Sequence, residues 1–515
     1  MLQFYKKPGL KALQACKDDK GEIILDKVYF VSNSREKFDE IKRIADEQGG
    51  GWEIAWKKTS LAEVQEDEEN VLIRKKALEA FRQLRRPVLV EHTALKIDAF
   101  NELPGLHTNY FYSGMGCEKI VRFCRAEGNF KASVMSVFCL CDGRKYYIGT
   151  GTEEGKIVNF EGEIDQKNGF GWDVIFIPKE NNPEQKPYAC LETVKEGHLM
   201  RKRAWESMAD AYKKEDSPMS HSRVGTEERL DDLARFIAEK QAILFVGAGI
   251  SASLKFPSWK ELIDKLGGNL GYEADLFEAY GEYMMLAEYA KLKDEKKVTS
   301  ELLNTFQITG DIKEKLYSSR IYEILKELDF PVIYTTNYDS LLEEYYSHSG
   351  REFTVVRNSS DMRKIRSGKP RIMKFHGDLG EEDRDSIVLT ESQYFARMDF
   401  LHFMDIQLQA DMLQYPVLFL GYSLSDINVK LLMYLARKRV NEHKHAVSSY
   451  IYTATPNYVR EEVFLKNNII TFTGNEEDKE KGTQEFLENL LKKVMKYRES
   501  RASGSSCGQR EDTGI

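Results

Sequence analysis

An α/β chain of two domains is what the sequence predicts, and three observations lead there. The 515 residues exceed what one hydrophobic core ordinarily serves. Short apolar runs such as "VLV" at Val88–Val90 and "ILFV" at Ile243–Val246 end in polar residues and alternate with amphipathic helical patterns, the order an α/β sheet requires. Between two such sets lies "KKEDSPMSHSRVGTEE", a polar stretch with Pro and Gly and no apolar period, which reads as a linker. Residues 1–212 are therefore expected to form a first domain, 213–228 the linker and 229–497 a second domain. The small polar residues of 498–515 are expected to form a disordered tail.

Composition narrows the function. A net charge of −8 and a pI near 5.8 lack the basic footprint of a nucleic-acid partner. The seven cysteines, Cys16, Cys117, Cys124, Cys139, Cys141, Cys190 and Cys507, show no zinc spacing and suit a reducing cytoplasm. No apolar run reaches the roughly 18 residues of a membrane span, so the chain reads as a soluble, cytoplasmic protein with no membrane partner.

The first domain opens with "KVYFVSNSREKFDEI", a strand running into a helix start. Backbone N–H groups there, with Ser32 and Lys37, suit a phosphate chain, which the helix dipole also favours. The run "PVLVEHT" reads as a buried strand that breaks into a turn at Glu91-His92-Thr93, and a strand end is where α/β sheets place chemistry. Farther on, "NGFGWD" offers glycines for close backbone approach. Its Phe170 and Trp172 would sandwich a flat base, and Asp173 would accept from a base N–H.

These pieces, with "LAEVQ", "LPG" and "VKEGHLMR", stand in the order and spacing of inosine triphosphate pyrophosphatases, a family the chain resembles over residues 25–212. The resemblance implies that Lys37 contacts phosphate and that Glu63 holds magnesium. It also implies that Phe170, Trp172 and Asp173 select a 6-oxo purine over adenine, and that Lys195 and Arg201 touch the nucleotide. Three motifs depart from the family pattern. Its Thr-Gly-Asn-x-x-Lys is here Ser32-Asn33-Ser34-x-x-Lys37, its Ser-His-Arg is Leu199-Met200-Arg201, and in its "VLVEDT" His92 replaces the aspartate. An imidazole lacks the standing negative charge that draws magnesium and accepts a proton from water. Binding is therefore expected to be kept and hydrolysis weakened, with His92 in the nucleotide pocket.

The second domain begins with the amphipathic "RLDDLARFIAEK" and the strand "AILFV", followed by Gly247-Ala248-Gly249-Ile250-Ser251. Such a loop permits the tight turn and backbone approach that a pyrophosphate needs. Three more strands, "VIYTTNYD", "MKFHGDL" and "VLFLGYSLSD", end in polar residues and in one parallel sheet would converge on one crevice. This set resembles the sirtuin-like, Rossmann-type NAD-binding fold over residues 228–440. The resemblance implies Asn337 and Asp339 beside the nicotinamide ribose, His376 as catalytic base, and Gly421 and Ser423 in the later Gly-x-Ser loop. Gly247, Ala248, Gly249 and Ser251 would line NAD, which is bound as substrate. The four-cysteine zinc ribbon of the protein deacetylases is absent from this sequence, so water is the expected acceptor, as in the NAD glycohydrolases of this fold.

Together the halves resemble nucleotide-sensing, sirtuin-like effectors of anti-phage defence. That resemblance implies an inosine-type purine triphosphate such as dITP or ITP as the signal, NAD depletion as the output, and a homo-oligomer paired through the first domain. Two other readings stay open: a bifunctional enzyme that hydrolyses inosine-type triphosphates and separately cleaves NAD, and a non-catalytic binding module, against which the set Asn337, Asp339 and His376 argues.

Overall fold

The computed structural model describes residues 27–48, 53–61, 66, 68–159, 171–191, 198–213, 226–380, 383, 386–440, 448–474 and 478–505. The chain divides into two compact units, Met1–Ser222 and Arg223–Ile515. Both are α/β, one with a mixed sheet and the other with a parallel one.

The first unit runs β1 (Val28–Val31), α1 (Arg35–Glu47), β2 (Ile54–Lys57), α2 (Glu69–Leu84), β3 (Val88–Ile97), β4 (Pro104–Gly105), α3 (Thr108–Glu127), β5 (Lys131–Cys141), β6 (Tyr146–Ile157), β7 (Phe176–Pro178) and α4 (Leu199–Lys213). Its strand order is β2-β1-β3-β5-β6-β7, with β4 on β3. Strand β1 is parallel to β2 and β3, and the ladder from β3 to β7 is antiparallel. Helices α1 and α4 cover one face through Ile41, Ile44, Trp205 and Met208, and α2 covers the other through Ile73, Ala77 and Ala80.

The expected turn at Glu91-His92-Thr93 is not there. Strand β3 continues to Ile97 because β5 pairs with it along the whole length, from Val88 opposite Cys141 to Ile97 opposite Ala132. In an unbroken strand successive side chains alternate, so Glu91 and Thr93 share one face and His92 lies on the other.

The second unit adds α5 (Glu227–Ala238), β8 (Ile243–Val246), α6 (Ala248–Ser251), α7 (Trp259–Asn269), α8 (Ala274–Glu278), α9 (Tyr283–Lys293), α10 (Glu295–Thr305), α11 (Gly310–Tyr317), α12 (Arg320–Leu328), β9 (Val332–Thr335), α13 (Leu341–His348), β10 (Thr354–Val356) and β11 (Arg371–Lys374). It closes with α14 (Glu391–Ala396), α15 (Phe403–Gln414), β12 (Val417–Leu420), α16 (Ile427–Val440), β13 (Ser449–Thr453), α17 (Tyr458–Lys466), β14 (Ile469–Thr473) and α18 (Lys479–Ser505). Its strands pair in parallel in the order β10-β11-β9-β8-β12-β13-β14. Strand β8 shows why both faces are covered. Leu244 and Val246 join one core with α5, α12 and α18, while Ile243 and Phe245 join the other with α15 and α16.

Two boundaries differ from the sequence reading. Helix α5 starts inside the stretch read as linker, because the Thr226 hydroxyl caps it by accepting from Arg229 N at 3.4 Å. The tail read as disordered from residue 498 begins instead as helix, since α18 runs to Ser505. There the Arg498 guanidinium donates to the carbonyls of Glu327 and Leu328 at 2.9 and 2.7 Å, satisfying the end of α12. No helix among the described residues is long and apolar enough to cross a membrane.

Candidate functional site

In a doubly wound sheet, ligands bind where the strand order reverses, beyond the carboxyl ends of the strands. Here that point lies between β8, whose chain goes on to β9 on one side, and β12 on the other. The loops that leave the two strands interlock. Gly247 N donates to Leu420 O at 2.9 Å, and Gly249 N donates to Gly421 O at 2.8 Å. Gly421 has φ +60°, and a Cβ there would sit 2.5 Å from Ile250 N. These glycines are thus required first by loop meeting loop. A cavity of about 640 Å³ opens at this junction, lined by Ala248, Gly249, Ser251, Asn337, Asp339, His376, Gly421 and Ser423. Gly247 stands behind it, where a Cβ would come within 2.6 Å of Gly421 O. Phe256, Trp259, Leu262 and Phe306 give the cavity an apolar wall.

The polar side chains inside are cross-tied. Asn337 Nδ2 donates to Ser251 Oγ at 3.1 Å, and Ser251 Oγ donates to Asp339 Oδ2 at 2.9 Å. The other carboxylate oxygen of Asp339 accepts from Leu341 N at 3.2 Å, at the start of α13. Asp339 therefore orders its neighbours while facing the cavity. Lys374, wholly buried, donates to the Asp339 carbonyl at 2.5 Å and lies 3.3 Å from Glu343, fastening the β9 loop to β11.

His376 is 3% exposed. Burial pushes its pKa down to about 4, with Asp426 acting against that shift and Arg397 adding to it, so the ring is neutral at neutral pH and able to accept a proton. Asp426 Oδ2 lies 3.2 Å from its Nε2. The sequence reading passed over Asp426, although it closes "VLFLGYSLSD" at the fourth strand end.

In the first unit, Ser32, Asn33 and Ser34 form the turn that starts α1. Ser34 N donates to Ser32 Oγ at 3.1 Å, and Ser34 Oγ accepts from Lys37 N at 3.1 Å. Lys37 Nζ reaches Glu91 Oε2 at 2.8 Å, and Arg201 Nε reaches Glu91 Oε1 at 3.3 Å. Arg201 also binds Glu40 at 2.5 Å. Burial opposes ionisation of Glu91, but Lys37 and Arg201 overcome it and hold its pKa well below the usual carboxylate range. Glu40 is drawn down to about 2, against its burial, by Arg201 and His198.

His198 was missed by the sequence reading, although it stands in "VKEGHLMR". Its Nδ1 meets Glu40 at 2.8 Å, and its Nε2 lies 3.5 Å from Asp173 Oδ1. Despite burial, the carboxylates of Asp173 and Glu40 beside it raise its pKa to about 8. Lys37, Arg201 and Asp173 thus belong to one connected polar cluster. His198 stands two positions before Met200, which occupies the histidine position of the family triplet.

His92 stands apart from that cluster, on the opposite face of β3. Its Nε2 donates to the Leu106 carbonyl at 2.8 Å, and burial and nearby Lys76 lower its pKa to about 4. Trp172 packs into the core of the first unit. It is 8% exposed and packs edge-on against Phe176 at 5.8 Å, because the 3-10 turn Gly171–Val174 directs it into the core. Glu63, Phe170 and Lys195 lie outside the described residues. The described donors do not fit magnesium: among the described residues no three carboxylate, His or Cys side chains are gathered for a metal, and Glu91 is bonded to Lys37, Arg201, Thr93 and Ser136.

Fold and sites define a two-unit α/β protein, with Lys37 and Arg201 gathered on the buried Glu91 in one unit and a crevice at the strand-order reversal that holds His376 in the other. Residues 28–211 match the Ham1 family, and residues 331–472 match the SIR2-like domain. The inosine triphosphate pyrophosphatase of Saccharomyces cerevisiae is 32% identical over 164 residues, 30% of this chain and 81% of that protein. The NAD(+) hydrolase ThsA of Cytobacillus dafuensis is 26% identical over 272 residues, 52% of this chain and 50% of that protein. Defense-associated sirtuin 2 of Bacillus subtilis is 25% identical over 215 residues, 39% of this chain and 20% of that protein. Through its first unit the chain belongs to the Ham1 family, and its second unit carries a SIR2-like domain. The chain spans about half the length of the ThsA relative.

Proposed function

We propose that the second unit hydrolyses NAD to nicotinamide and ADP-ribose, and that an inosine-type triphosphate, dITP or ITP, bound in the first unit switches this on in defence against phage. The observation that carries the reading is the meeting of Asn337 and a neutral, buried His376 in one crevice at the strand-order reversal. Breaking the nicotinamide bond builds positive charge on the ribose, so a site must hold the sugar, exclude bulk water and place one water. Asn337, oriented by Ser251, holds the ribose or that water, and His376 takes the proton. Names among the relatives, an NAD(+) hydrolase and a defence-associated sirtuin, support the same output.

In the first unit, Lys37 and Arg201 suit the triphosphate and Asp173 the base N–H, while His92 replaces the family aspartate. The ligand is then bound and only slowly destroyed, as a signal should be. Uncontrolled NAD cleavage would harm the host. The effector idles until the triphosphate arrives, and that ligand acts only through its differential affinity for the active state.

The test is nicotinamide release by the full chain with and without dITP, alongside calorimetric dITP binding. His376→Ala and Asn337→Ala should abolish release and leave dITP binding intact; normal turnover in both variants defeats the site. Rapid release of pyrophosphate from dITP would instead favour a bifunctional enzyme.

A further inference from the structure

The His376 nitrogen Nε2 is sealed from solvent, and no polar atom meets it in hydrogen-bonding geometry. The nearest carboxylate oxygen is Asp426 Oδ2, at 3.2 Å. That carboxylate is held from two sides. Its Oδ1 accepts from Val429 N at 3.0 Å, which makes Asp426 the cap of α16. Its Oδ2 accepts from the Tyr394 hydroxyl at 3.3 Å. Tyr394 lies edge-on to the His376 ring, with centroids 5.2 Å apart, and its carbonyl accepts from Asn428 Nδ2 at 3.3 Å, which ties α14 to α16. One element thus fixes the carboxylate and another fixes the tyrosine.

We infer that Asp426 is the positioning residue of the second unit's base, orienting the His376 imidazole and neutralising the imidazolium that forms when His376 accepts a proton, with Tyr394 holding the carboxylate in place. The inference rests on the NAD-hydrolase reading. In that reaction the bond between the ribose carbon and nicotinamide breaks, its electron pair leaving with the nicotinamide nitrogen. The oxygen of water forms the new bond to the ribose carbon. One water proton passes to His376 at Nδ1, while the Nε2 proton stays toward Asp426, and the imidazolium then returns the extra proton to solvent.

The other groups around the ring support the assignment. Arg397 approaches from the end of α14, but it donates to the Phe375 carbonyl at 2.5 Å and pairs with Asp405. Tyr338 donates to Val388 O at 2.7 Å. Among the described residues Asp426 is the carboxylate that acts on the imidazole. A negative charge beside a neutral histidine is what makes such a ring an effective proton acceptor.

The experiment measures kcat, KM, their pH dependence and the melting temperature for NAD cleavage by the full chain with dITP. It compares the unmodified protein with Asp426→Asn, Asp426→Ser and His376→Ala. Ser and Asn both keep an acceptor at the cap and remove the charge. Both should lower kcat by about 10²- to 10⁴-fold, with KM within about threefold and melting little changed. Without the anion the imidazole protonates less readily, so the acid limb of kcat/KM should move to lower pH. A kcat within about threefold of the unmodified protein in both variants, with His376→Ala inactive, overturns the role of Asp426 and leaves the NAD reading standing. Loss of fold in both variants, or kcat and melting falling together with an unmoved acid limb, assigns Asp426 to the cap alone and also overturns it. Full activity of His376→Ala, or no cleavage by the unmodified protein with dITP or ITP, defeats the NAD reading itself.

Discussion

Glu40, Glu91, His198 and Arg201 are each more than nine-tenths buried by residue exposure, and carboxylates and cations face one another across the set. Removing one partner from such a set leaves an uncompensated buried charge, which costs about 3 to 5 kcal/mol. Arg201→Met, which removes the guanidinium that Glu40 and Glu91 share, should therefore destabilise the first unit by up to that order, read as a lower urea midpoint by tryptophan fluorescence. The same cluster sets a pH window. The Glu40 pKa is depressed from 4.5 to about 2, so its contribution is complete above 4.5 and lost as pH falls toward 2. The His198 pKa is raised from 6.5 to about 8, so its contribution is complete below 6.5 and lost as pH rises through 8. Stability should be greatest between pH 4.5 and 6.5, and Glu40→Gln should flatten the acid side. An unchanged acid limb in Glu40→Gln would show that the cluster does not govern it.

Among the elements, close approach is what the structure depends on most. Helix α4 lies directly on β6, where a Cβ on Gly149 would run into the backbone of Ala204 and Met208, and one on Gly151 into that of Met200. The β8 and β12 loops meet in the same way through Gly421. Gly421→Ala adds a left-handed φ to a clash with Ile250 N, a combination that destabilises by about 1 to 3 kcal/mol and moves both loops that line the cavity. The expected result is at least a tenfold rise in KM for NAD with triphosphate binding unchanged, since the change lies wholly in the second unit. At the far end of that unit, Arg498→Ala removes two charged hydrogen bonds to the last carbonyls of α12 and should cost about 1.5 to 3 kcal/mol, read from the melting temperature. No change would mean that these two bonds do not help to hold α18.

At the scale of the whole molecule, the question is whether occupancy of one unit governs chemistry in the other. Asp173→Ala removes the carboxylate that faces His198 and that, on the proposed function, pairs with the base N–H. An unpaired polar group costs about 1 to 3 kcal/mol, up to roughly 150-fold in affinity. Such a variant should keep its crevice and lose the response of NAD cleavage to dITP. If Asp173→Ala responds to dITP as fully as the unmodified chain, the first unit does not control the second.

The sequence by itself determined the class of fold, and it named the strand ends that gather at the crevice. Short apolar runs closed by Gly, Asn, Asp or His are local signals, and in a parallel sheet all carboxyl ends lie on one side, so Ser251, Asn337, His376 and Gly421 had to come together once the sheet formed. Pairing between distant segments was decided only in three dimensions. The ten-residue ladder with β5 turned an expected bend at His92 into continuous strand and put its imidazole on the face away from Lys37. His198 meets Glu40 across 158 positions, and Asp426, after β12, meets His376, after β11, although β9 and β8 stand between those two strands in the sheet. Periodicity and turn chemistry report what a residue does to its own segment. Which charge faces which buried ring depends on how segments pack, and no local pattern encodes that.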